Sequence, residues 1–115
     1  MKNIYNLIGI AQRAGKTSSG AEAVKTSLTK DFAHIVLMSK DISPDTKDKL
    51  IKNCRKNKVP WIMLGNKYDL GNSIGKSYRV ALTINDAGIA GAIIKAINDA
   101  DNEAKCMGVV YEWPK

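Results

Sequence analysis

The chain has 115 residues, room for one domain with one hydrophobic core, and an apolar fraction of 44% that excludes wholesale disorder. No stretch approaches the ~20 apolar residues that cross a bilayer. Asn6 and Gln12 interrupt the amino-terminal apolar patch, so no signal peptide is predicted and the protein is expected in the cytoplasm. Two distant cysteines, Cys54 and Cys106, and a single histidine, His34, are too few for a zinc site; the thiols are expected reduced and structural. The formal net charge is +7, with a clear asymmetry. Residues 1–85 carry 15 Lys/Arg against 6 Asp/Glu, or +9, and residues 86–115 carry 3 against 5, or −2. A basic domain of this kind points to a polyanionic partner.

In chain order, Ile4, Leu7, Ile8 and Ala11 recur at helical spacing, with Gly15 as the stop. Lys16 to Ser19 is long enough only for an edge strand. Ser19-Gly20-Ala21-Glu22 matches a capping box and predicts a second helix to about Lys30. The run Ile35-Val36-Leu37-Met38, within His34–Ser39, predicts a strand covered on both faces, and a lone His34 at its start reads as a structural residue. Ser43-Pro44 predicts an N-cap followed by proline at the first helical position. The third helix is expected to bury Leu50, Ile51 and Cys54 and to expose Lys47, Lys49, Lys52, Arg55 and Lys56 as a solvated face.

Trp61–Leu64 and Val80–Ile84 predict two further buried strands, separated by a short helix over residues 66–75. A last helix is expected from Asp86 to about Asn98, with Ile89, Ile93 and Ile97 on one stripe and Ala90 and Ile94 beside it. Alternation of helices with short apolar strands predicts an α/β fold: a three-layer α/β/α sandwich, its central mixed four-stranded sheet carrying helices on both faces. Residues 1–100 form the expected domain and residues 101–115 a carboxy-terminal extension. In that extension Tyr111 and Trp113 alternate with Glu112 and would face one way on a strand, so the segment is expected to pack on the chain's own sheet edge or a helix face.

Three fragments imitate a nucleotide site. Gly15-Lys16-Thr17 and Gly75-Lys76-Ser77 resemble the end of a phosphate loop, and Asn66-Lys67-Tyr68-Asp69 a guanine-reading motif. A phosphate loop needs a glycine five residues before its last one so that consecutive N–H groups wrap the phosphates, and those positions hold Ile10 and Leu70. Neither loop follows a predicted strand, and no Asp-x-x-Gly switch occurs. No nucleophile has a base and an orienting carboxylate in context. The sequence therefore predicts no enzyme, no cofactor and no small-molecule substrate.

The ordered series Ser19-Gly20-x-Glu22, Asp41-x-x-Pro44, Val59-Pro60-Trp61, Lys67-x-x-Leu70-Gly71 and Gly75-Lys76 resembles the ribosomal protein L-seven-Ae superfamily, and more closely its small bacterial members, over residues 4–98. The resemblance implies the sandwich fold and binding of kink-turn RNA, with the amino end of the second helix in the widened groove. It also implies that the loop around the Leu-Gly motif holds a flipped-out nucleotide. Carried over, Gly20 matches a glycine of close RNA approach, Lys67 a phosphate-contacting lysine, and Leu70 and Gly71 the apolar loop. The chain departs from the pattern at Glu22, where asparagine or lysine is usual, at Ala23, and at Thr26, with Lys25 one place early for the expected lysine.

The expected RNA-binding residues are Lys16, Ser19, Gly20, Ala21, Glu22, Lys25, Lys67, Leu70, Gly71, Lys76 and Arg79, with Tyr78 either stacking on a base or flanking a strand. The expectation is a monomeric, non-catalytic, ribosomal or ribosome-associated protein that binds structured RNA. The alternative is a protein–protein interaction module on the same fold.

Overall fold

Apolar residues at helical spacing fold the amino terminus into α1 (Lys2–Arg13), which lays Ile4, Ile8 and Ala11 on the sheet. The chain continues through β1 (Thr17–Ser19), α2 (Ala21–Thr29), β2 (Ile35–Met38), α3 (Pro44–Lys56), β3 (Trp61–Met63), α4 (Lys67–Ser73), β4 (Ala81–Ile84), α5 (Ala87–Asp99) and β5 (Val110–Glu112). This computed structural model describes residues 2–99 and 110–112, with side chains described for residues 4–97.

The sheet order is β1-β4-β2-β3-β5. The β2–β3 pair is parallel and the others antiparallel, so the sheet is mixed as the sequence predicts. Strand alternation splits the core in two. Ile35, Leu37, Ile62, Leu64, Leu82 and Ile84 pack under α1, α4 and α5. Val36, Met38, Trp61, Met63 and Ala81 pack under α2 and α3. Every residue of β2, β3 and β4 is buried, as expected for strands covered on both faces.

The predicted four strands are joined by a fifth. β5 pairs antiparallel with the outer edge of β3, Trp61 opposite Glu112 and Met63 opposite Val110. The carboxy-terminal segment thus reaches the chain's own sheet edge, as expected of it. Met107, Val109 and Trp113 lie outside the described residues.

Several local expectations need correction. Ile51 is half-buried at the margin of the core, and Lys47 is half-buried where exposure was expected. His34 precedes β2 and its ring is exposed; only its N–H is engaged, donating to the Ile84 carbonyl at 2.9 Å. The predicted capping box of α2 is absent. Ser19 ends β1 opposite Leu82 and stands one residue before the cap, which is Gly20, so neither its hydroxyl nor Glu22 caps the helix.

Candidate RNA interface

The carboxyl ends of β1, β2 and β3 and the entry to β4 lie at one end of the sheet, and the segments leaving and entering there converge. The Gly20 N–H donates to the Ala81 carbonyl at 2.9 Å, which fixes the start of α2 beside the entry to β4. Gly20 has φ 93° and ψ 152°, a backbone region essentially confined to glycine. No side chain caps α2, and the first helical bond is Val24 N–H to the Gly20 carbonyl. The N–H groups of the first turn therefore point outward with the positive end of the helix dipole. A Cβ on Gly20 would meet no atom within 4 Å, so a ligand backbone has room to approach on that side.

A polar chain under α2 ties its last turn to the sheet. Thr83 Oγ1 donates to Asn85 Oδ1 (2.8 Å), Asn85 Nδ2 donates to Ser18 Oγ (3.0 Å), and Ser18 Oγ meets Ser27 Oγ at 2.6 Å. Buried polar groups linked this way fix one register of the helix on the sheet.

Across from α2 stands α4, whose start is closed. The Asn66 side chain accepts from Asp69 N–H (2.9 Å), the Asp69 carboxylate accepts from Asn66 N–H (3.3 Å), and Asp41 Oδ1 accepts from Lys67 N–H (3.0 Å). The guanine-motif look-alike Asn66-Lys67-Tyr68-Asp69 is thus a capping box, its two polar side chains occupied by the backbone. Asp41, from the loop after β2, completes it.

The segment before β4 joins the two helices. The half-buried Arg79 donates from Nε to Ser19 Oγ (3.2 Å) and from Nη1 to the Tyr78 carbonyl (2.6 Å), and its N–H donates to the Lys67 carbonyl (2.9 Å). The Lys67 ammonium lies 5.4 Å from the Tyr68 ring and 5.5 Å from the Tyr78 ring, within cation–π range of both. These tyrosines are 56% and 54% exposed, so two aromatic rings held by one lysine face solvent. Aromatic faces of this kind are where unpaired bases stack.

The expected site residues fall into three groups. Ser19, Gly20, Ala21, Glu22, Lys67 and Arg79 are brought together at this end of the sheet, with Lys25 one turn along α2 and Lys76 on the adjoining loop. Leu70 and Gly71 belong to α4 and are buried, so they support the surface from beneath and do not form part of it. A Cβ on Gly71 would stand 2.5 Å from Tyr78 Cα, so glycine there lets the Tyr78 backbone lie on the helix. Lys16 is not in the cluster. Its carbonyl accepts from Asn85 N–H at the opposite end of β1, a strand's length from Gly20.

Sequence reasoning assigned no role to Tyr68 or Asp41. The signal for Tyr68 was present, an aromatic next to a lysine in a basic chain. Asp41 stood in the Asp41-x-x-Pro44 motif of the resemblance, but its bond to Lys67 N–H, 26 residues away, is not written in local spacing.

A model of the Ribosomal protein L7Ae/L30e/S12e/Gadd45 family matches residues 2–94. The chain belongs to this family. Among curated members, RNA-binding protein YlxQ of Bacillus subtilis (strain 168) is 34% identical over 94 residues, covering 82% of this chain and 94% of that protein. The large ribosomal subunit protein eL8 of Picrophilus torridus is 27% identical over 105 residues, covering 90% and 83%. Among solved structures, a protein of unknown function from Bacillus halodurans superposes with a TM-score of 0.79 at 32% identity, over 83% of this chain and 96% of that one. A Giardia lamblia 15.5kD RNA binding protein has the same fold, with a TM-score of 0.73 at 19% identity over 83% and 84%.

Proposed function

We propose that this family member binds structured RNA of the kink-turn type, as a cytoplasmic monomer and without catalysis, through residues 1–100. The observation that carries the reading is the start of α2. It is a helix N-terminus with no side-chain cap, opened by Gly20 and linked through Ser19 and Arg79 to Lys67, whose ammonium lies against two exposed tyrosines. N–H donors and positive charge suit phosphates and the edges of sheared base pairs, and the tyrosine surface suits an unstacked base. The basic balance of residues 1–85 supports a polyanion over an acidic protein partner, and the names of YlxQ and eL8 agree with RNA and the ribosome.

The roles follow from position. The backbone of Gly20, Ala21 and Glu22 approaches the RNA groove. The Glu22 carboxylate can only accept, which favours guanine N1–H or N2–H over O6. Lys67 and Lys76 meet phosphates, and Arg79 ties the two sides of the surface together through Ser19.

The test is a binding titration with a kink-turn hairpin against the same hairpin in which Watson–Crick pairs replace the sheared G·A pairs. Preference for the bent RNA by tenfold or more is expected, on the scale of about 1.4 kcal/mol. Equal affinity for the two would contradict kink-turn recognition, and no binding to either would contradict the RNA reading.

A further inference from the structure

Helices α2 and α3 enclose a groove of ≈ 430 Å³ that begins at the proposed RNA site, with Ala21 and Glu22 in its wall. Leu50, buried, lines its base. Its exposed charged side chains are Lys25 from α2, Lys49 and Lys52 from α3, and the single carboxylate of Glu22 at the end nearest Gly20. Lys49 and Lys52 are i, i+3 neighbours and so share one side of α3. Neither acid of α3, Asp45 or Asp48, lines the groove; of its basic residues Lys49 and Lys52 do, while Lys47, Arg55 and Lys56 stand outside it.

We propose that this groove is a second RNA-contacting surface, a track for the sugar–phosphate backbone of a stem that leaves the α2 start and runs between α2 and α3. The proposal rests on the RNA reading above and extends it from the bend to the flanking duplex. The groove is continuous with the bend site through Ala21 and Glu22. Three lysines against one carboxylate match a chain of phosphates, with Thr46 and Asn53 as the uncharged polar residues of the lining. The contact is thus expected to add affinity without sequence preference.

The experiment compares wild type with Lys49→Gln/Lys52→Gln on two kink-turn hairpins that share the bend, one with short stems and one with stems longer by a helical turn. The variant should melt like wild type, since both lysines are exposed. On the long-stem RNA it should bind about tenfold more weakly at physiological salt, with a log–log salt slope shallower by about 2, the loss of two phosphate contacts. On the short-stem RNA the two proteins should bind alike. Equal weakening on both RNAs would overturn the track, because the lysines would then act through the general field of the protein. No weakening on either would also overturn it and leave the groove to a protein partner. Failure of wild type to bind either hairpin would instead overturn the RNA reading on which the track stands.

Discussion

Helices α2 and α4 begin at the same end of the sheet, yet their first turns are built in opposite ways. At α4 three side chains, Asn66, Asp69 and Asp41, are bound to backbone groups at the helix start. The starts of α3 and α5 follow the same pattern: Ser43 Oγ accepts from Thr46 N–H at 3.3 Å and Asp86 Oδ2 from Ile89 N–H at 2.8 Å. At α2 there is no side-chain cap, and the position is held by a glycine in a conformation other residues avoid. Glycine at the cap position forgoes roughly a few tenths of a kcal/mol relative to a capping side chain and leaves the donors open. Three starts are closed by side chains and one is open.

The largest expected effect falls on the scaffold side. Gly71→Ala drives a Cβ into the Tyr78 backbone, and since backbone cannot swing aside as a side chain can, the loss should be about 3 kcal/mol. Calorimetry should show melting lowered by roughly 10–20 °C. Wild-type melting would mean that the Tyr78 segment does not rest on α4.

Gly20→Ala is the matching break on the open side. The new Cβ meets no atom, so the cost is conformational, about 2 kcal/mol of stability. Kink-turn RNA affinity, measured well below the melting temperature, should also fall about tenfold, the scale of one lost close contact. If affinity per folded molecule is unchanged, α2 starts with glycine for reasons of folding alone.

Asn66→Ala should cost about 1 kcal/mol as an ordinary cap loss. A chemical denaturation curve that matches wild type would show the α4 cap to be dispensable and weaken the contrast.

The smallest effect concerns Tyr5, whose pKa burial raises above its usual value near 10, with the Asp69 carboxylate adding to the shift. The unfolded chain then loses its Tyr5 proton before the folded one does. Stability from this group is complete below pH 10 and is lost as pH climbs through the raised value. The fall in melting temperature above pH 10 should be shallower in Tyr5→Phe. Superimposable pH profiles would show that the Asp69 carboxylate in the α4 cap is not sensed at Tyr5.

Much of this fold was legible because its signals are local. Ile35–Met38 announced a doubly covered strand, and Ser43-Pro44 announced the start of α3, since each needs only neighbours in sequence. The start of α2 misled for the same reason. Ser19-Gly20-Ala21-Glu22 has the letters of a capping box, but pairing of Ser19 with Leu82 and its bond to Arg79, 60 residues on, place it in β1. The site was readable in part. Gly20, Lys67 and Arg79 were expected and do converge, whereas the burial of Leu70 follows from packing on the sheet. The distance of Lys16 follows from the direction of β1, and neither is written in local spacing.

The open amides of α2 are where RNA should be felt first. Backbone amide chemical shifts of Ala21, Glu22 and Ala23, followed by NMR while a kink-turn hairpin is titrated, examine them one by one. These three should move most and gain protection from solvent exchange, while the capped amide of Ile89 on α5 stays unchanged. A titration that saturates with these three unmoved, and with the largest shifts elsewhere on the molecule, would contradict the central claim.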